Sequence, residues 1–124
     1  MKEVTILGKN YPIEYTVEAQ SKFAEKGGGL KRVSTVITNY PSFALSTMMV
    51  AAAHRKKVFA KMEGTEYDGP EPMSEDELNA ILMPADLPEI LRDMTGVMSE
   101  AFKTDVETAP EKNTGKKTKA TPSE

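Results

Sequence analysis

Residues 40–62, YPSFALSTMMVAAAHRKKVFAKM, set the strongest limit on how this chain can fold. They form the one stretch that is long, apolar and free of internal glycine, with a proline only at its second position, so they predict a single helix of about six turns. Pro41 fits a first helical turn, Ser42 offers a hydroxyl to backbone N–H groups that have no intrahelical partner there, and Gly64 suits the exit. Leu45, Met48, Ala52, Phe59 and Met62 recur at three- and four-residue steps, yet residues 48–53 are apolar right round the helix. One packing face cannot cover such a run. A membrane span needs about 20 apolar residues, and His54-Arg55-Lys56-Lys57 interrupts this one, so burial against protein is expected, whether of the same chain or of another.

The flanking segments predict a small helical domain behind an N-terminal β-hairpin. Val4 and Ile6, then Tyr11, Ile13 and Tyr15, alternate with polar neighbours on either side of Gly8-Lys9-Asn10, which reads as the turn; Pro12 makes the second strand an edge. A two-stranded hairpin is marginal alone, so its apolar face must rest on helices. Thr16 caps a helix over residues 17–26 with Glu18 in its first turn, ended by Gly27-Gly28-Gly29. Those glycines before Lys31-Arg32 lack the strand and helix of a phosphate loop, and a helix C-cap with a joint is the better reading. Leu30, Val33, Val36 and Ile37 give a second short helical period closing at Asn39.

After the long helix, residues 64–73 carry Gly64, Gly69, Pro70 and Pro72 and read as loop. Ser74 and Glu77 have capping-box spacing for a helix from Glu75 to Leu82, stopped by Pro84. Asp86 is placed to cap a last helix, with Pro88 in its first turn and Leu87, Ile90, Leu91, Met94, Val97, Met98, Ala101 and Phe102 on one stripe. Gly96 within it is read as a point of close approach to the central helix. The fold class is thus mainly α, with four to five helices, an N-terminal hairpin in residues 1–103, and a lysine- and threonine-rich tail, 104–124, read as disordered.

Charge is segregated more than the net value of −3 conveys. Residues 63–89 hold nine acids and no Lys or Arg, Arg55, Lys56, Lys57 and Lys61 form a basic patch, and Lys112, Lys116, Lys117 and Lys119 a basic tail end. Folding of the acidic loop back onto the basic end of the long helix accounts for this. Eight methionines against 6% aromatics point to an adaptable core or binding surface. Without cysteine there are no disulfides or thiolate metal sites, and no signal-peptide pattern or membrane span is seen, so a cytoplasmic protein is expected.

Catalytic chemistry finds little to work with. His54 is the sole imidazole, and Ser42 or Ser46 beside it is a weaker reading than a structural histidine. Asp68-Gly69 and its neighbouring acids lack the ligand spacing of a calcium loop. No catalytic, cofactor-binding or metal-binding residues are assigned. The basic patch and tail keep a small nucleic-acid-binding protein as the alternative, disfavoured by the acidic balance and few aromatics.

Residues 7–30, LGKNYPIEYTVEAQSKFAEKGGGL, resemble the opening of the tail assembly chaperones of long-tailed phages and prophages, and the helical middle and charged tail are similar in kind. The resemblance implies a non-enzymatic factor of the host cytoplasm that helps the tape measure protein assemble with tail tube subunits and is left out of the finished virion. A tail tube or connector accessory protein is a related alternative. The family supplies no site residues. On the methionine-bearing faces of the two longest helices, Met48, Met49, Ala52, Met94 and Met98 are either a surface for a helical client, or for self-association, or part of this chain's own core. The resemblance also implies a longer form made by a −1 ribosomal slip, for which Thr114-Gly115-Lys116-Lys117 permits suitable heptamers.

Overall fold

The computed structural model describes residues 2–103; Met1 and residues 104–124, and with them the expected tail and slip site, lie outside the described part. Two strands, β1 (Lys2–Ile6) and β2 (Lys9–Ile13), precede α1 (Val17–Gly27), α2 (Val33–Asn39), α3 (Pro41–Glu63), α4 (Glu75–Ile81) and α5 (Leu87–Ala101). Short 3-10 turns at Leu30–Arg32 and Pro84–Asp86 lead into α2 and α5. The domain is the mainly helical one expected, with its antiparallel hairpin at the N-terminus.

The hairpin loop starts one residue earlier than Gly8-Lys9-Asn10 and is two residues long. Ile6 pairs with Lys9, so the loop is Leu7-Gly8, with φ of 53° and 80°, the two positive values that match the right-handed twist of the strands. Lys9 and Asn10 belong to β2, where the Thr5 hydroxyl reaches Asn10 Oδ1 across the ladder at 2.6 Å. Val4, Ile6, Tyr11 and Ile13 share the buried face. Tyr15 lies past the end of the strand and is buried edge-on against Phe23, with ring centres 5.1 Å apart.

Pro12 has a specific place in this ladder. Because Ile6–Lys9 closes the loop, ladder bonds fall on alternate pairs, and Pro12, opposite Glu3, occupies a position whose nitrogen points away from β1. That outer edge rests on α3, where the Glu14 amide donates to the Met48 carbonyl at 3.2 Å. Proline at the buried position 12 leaves no amide on that outer edge to satisfy.

The Thr16 hydroxyl accepts from the Ala19 amide at 3.3 Å, and Gly28, at φ 93°, ends α1 by donating to the Ala24 carbonyl at 3.0 Å. Gly27 serves packing: a Cβ there would lie 2.9 Å from Val36 Cγ2 and 3.1 Å from the Arg32 carbonyl oxygen. The glycine run is a helix end plus a close approach of α1 to α2.

The central helix α3 starts with Pro41 in its first turn and ends at Gly64, φ 75°. Ser42 corrects the expected cap: its hydroxyl makes no capping bond, and the residue is buried. Along residues 44–53 the helix packs against β2, α1, α2, α4 and α5, which buries the apolar run on all but one side, where Val50 is left 37% exposed. Ser46 donates to the Met73 carbonyl at 2.7 Å and pins the end of the following loop. The capping box of α4 is complete, with Ser74 Oγ accepting from the Glu77 amide at 3.1 Å and Glu77 Oε1 accepting from the Ser74 amide at 2.9 Å.

Two expectations for α5 are corrected. Asp86 does not cap it; its Oδ2 accepts from the Met83 amide at 2.9 Å and closes the preceding 3-10 turn. Gly96 makes no close approach, since a Cβ there would meet nothing within 4 Å. Ile90, Met94 and Met98 carry the stripe into the core, Leu91 and Val97 are half-buried against it, and Ala101 and Phe102 are exposed where the helix runs out.

Candidate functional site

Met48, Met49, Ala52, Met94 and Met98, the expected client surface, are all inside the molecule, none more than 8% exposed. The four methionines share one core with Val4, Ile13, Phe23 and Leu45, and Ala52 is buried as well. A client docking on the folded chain therefore meets none of the five. Burying a methionine side chain contributes about 1.5–3 kcal/mol, and the hairpin and short helices supply the cover that the two long helices lack in sequence. The core reading of these residues is the one their burial supports.

What α3 does expose is its second half, residues 54–63. Val58 is 44%, Phe59 45% and Met62 76% exposed. They fall on one flank of the helix among Arg55, Lys56, Lys57 and Lys61, four cations against the single acid Glu63. The Arg55 guanidinium lies over the Phe59 ring, 4.9 Å from its centre, and donates to Glu14 Oε1 at 2.6 Å. His54 Nδ1 meets Glu18 Oε1 at 2.7 Å. The helix end is thus tied down at its root by two acids four residues apart, Glu14 and Glu18, and carries its exposed apolar residues beyond them.

The acidic loop folds back less than its charge predicts. Among the described residues only Lys57 and Glu71, 3.7 Å apart, link it to the basic end, and both side chains are exposed. Lys57 also lies 5.3 Å from the centre of the Tyr67 ring. Tyr67 donates to the Pro70 carbonyl at 2.6 Å across a bend where a Gly69 Cβ would come within 2.8 Å of the ring. Burial first, then the Glu71 and Asp68 carboxylates, raise the Tyr67 hydroxyl above its ordinary pKa. Lys56 and Lys61 have no acid partner among the described residues. Sequence reading missed Glu14 and Glu18 because they lie 41 and 36 residues from their partners. No local spacing signals such pairs, because Glu14 lies in the connection before α1 and only Glu18 is helical.

The nucleophile candidates do not assemble. Ser42 is buried, Ser46 is spent on Met73, and His54 on Glu18. Among the described residues no three His, Asp or Glu side chains are grouped to hold a metal ion, and no helix is long and apolar enough to cross a membrane. An open cleft of about 1230 Å³ lies between residues 13–17 and the second half of α5, with Glu14, Tyr15, Arg92, Gly96 and Val97 among its walls. Glu14 Oε2 and the Tyr15 hydroxyl are buried in this region without a hydrogen-bond partner, and burial pushes the Tyr15 hydroxyl up to about 12. Comparison with known protein families, characterised proteins and solved structures finds no match to this chain.

Proposed function

We propose that this chain is a non-enzymatic tail assembly chaperone of a long-tailed phage or prophage, acting in the host cytoplasm on the tape measure protein while tail tube subunits assemble around it. The observation that carries the reading is the division of α3: one half packed into the core with only Val50 on its outer side, the other with Val58, Phe59 and Met62 exposed. A tape measure protein is long and helical, and its apolar stripes need shelter until the tube covers them. A projecting helix presenting an aromatic ring and a repackable methionine suits such a client. The resemblance of residues 7–30 supports the same reading, and those residues form the hairpin turn, β2 and glycine-ended α1.

Co-expression with a neighbouring gene product that is very long and helical tests it. The wild-type chain is expected to keep that protein soluble and to copurify with it. Phe59→Asp and Met62→Asp, both at exposed positions, are expected to fold as wild type and lose the client. Failure of the wild-type chain to copurify would sink the proposal.

A further inference from the structure

We infer that the exposed half of α3 recognises an acidic amphipathic helix, one whose apolar stripe is flanked by Asp or Glu. This rests on the reading above that the exposed half of α3 is the client site, and adds the chemistry of the partner. At about 100° per residue, Val58, Met62 and Phe59 span about 100° of the helix circumference, with Arg55 inside that arc and stacked over Phe59. Lys61 borders the arc on one side with Lys57 beyond it, and on the other side Lys56 lies at the start of the exposed half and Glu63 at its end. An apolar strip bordered by three lysines against one terminal acid is the complement of a helix with apolar residues at three- and four-residue steps and carboxylates beside them.

The same features select against a flat or wide anionic partner. Glu63, Glu66, Asp68 and Glu71 follow α3 directly, and Glu71 lies 3.7 Å from Lys57. An anionic bilayer or a nucleic-acid backbone pressed on the strip would meet these acids as well as the lysines. A helix about 10 Å wide meets fewer of these acids than a bilayer or a duplex does, Glu71 beside Lys57 being the one at the margin of the strip. With only three exposed apolar residues the contact is small, so binding is expected to be reversible, fast to form and strongly dependent on salt.

The test uses the full chain and two labelled synthetic peptides of about 21 residues, each with leucines at helical three- and four-residue steps, one flanked by Glu and the other by Lys. Fluorescence anisotropy in about 0.05 M salt is expected to show at least tenfold tighter binding of the Glu peptide, and the difference is expected to collapse in about 0.5 M salt. The double variant Lys57→Glu/Lys61→Glu, with unchanged circular dichroism, is expected to prefer the Lys peptide. Equal binding of the two peptides overturns the inference. So does indifference of the Glu peptide to the double reversal, or tighter binding of phosphatidylglycerol vesicles or duplex DNA than of the Glu peptide. Copurification with the long helical neighbour without a preference for the Glu peptide refutes the charge assignment alone. Preference for the Glu peptide without that copurification upholds the inference and removes the chaperone reading.

Discussion

Leu7 sits at φ 53° on the tip of the hairpin, 85% exposed, in a conformation that a branched side chain occupies with strain. Asparagine tolerates it, and Asn-Gly is the preferred pair for such a loop, so Leu7→Asn is expected to stabilise the domain by about 0.5–1 kcal/mol in urea unfolding. The turn was misplaced in sequence because Lys9-Asn10 has turn chemistry, whereas the pairing of Ile6 with Lys9 decides the loop. Gly96→Ala is a second gain. A Cβ there is unopposed, and replacing a mid-helix glycine reduces the freedom of the unfolded chain, for about 0.5–1 kcal/mol. The two glycines 27 and 96 look alike in sequence, but alanine at Gly27 would strike Val36 and is expected to destabilise. Tyr15 is a third case. Its hydroxyl is buried without a partner and its folded pKa of about 12 lies above the ordinary 10.0. The unfolded chain therefore loses this proton first, and stability contributed by the neutral form is complete below about pH 10 and lost as pH rises towards 12. Tyr15→Phe is expected to cost little near neutral pH and to flatten that alkaline loss.

Among the elements, those whose ends are chemically local were the most legible. Thr16, Ser74 with Glu77, and Gly64 act where their spacing places them, because a cap needs only the first or last turn of its own helix. Asp86 has the same chemistry but spends its carboxylate on the Met83 amide, a competition between two adjacent turns that spacing alone does not resolve. The length of α3 was legible as well, and His54-Arg55-Lys56-Lys57 marks where its enclosed half ends. Which elements enclose it was not, since that depends on contacts between residues distant in sequence, such as Glu14 on Met48. Helix α4 is a short helix held by its capping box and by Leu78, its only fully buried side chain. Ser74→Ala is expected to cost about 1 kcal/mol and Leu78→Ala about 2–5 kcal/mol. Hydrogen exchange is expected to show the amides of α4 opening well before those of residues 44–53 in α3, by local release.

At the scale of the whole molecule, the two ends of the described chain meet. β1 contacts α5, Lys2 lies 3.3 Å from Asp93, and α3 runs through the middle in contact with the hairpin and the other helices. Apart from α4, the elements packed on residues 44–53 share one core, so the domain is expected to unfold as one unit once α4 has frayed. The strongest check on the corrected site follows. Met49 is 2% exposed and Met62 76%, yet both are methionines of the same helix. A carboxylate forced into the place of Met49 has no cation beside it in the core, and the effective penalty for an unpaired buried charge is several kcal/mol. A domain of this size is stable by about 5–15 kcal/mol. Met49→Asp is therefore expected to remove most or all of the folded population, with circular dichroism and tyrosine fluorescence lost together. Met62→Asp is expected to leave the midpoint of thermal unfolding within about 4 °C of wild type, because an aspartate there is hydrated and lies beside Lys61. If Met49→Asp folds with a similar midpoint, the methionines belong to a surface and the core assignment fails; if Met62→Asp unfolds, the projecting half of α3 is structural and cannot be the docking face.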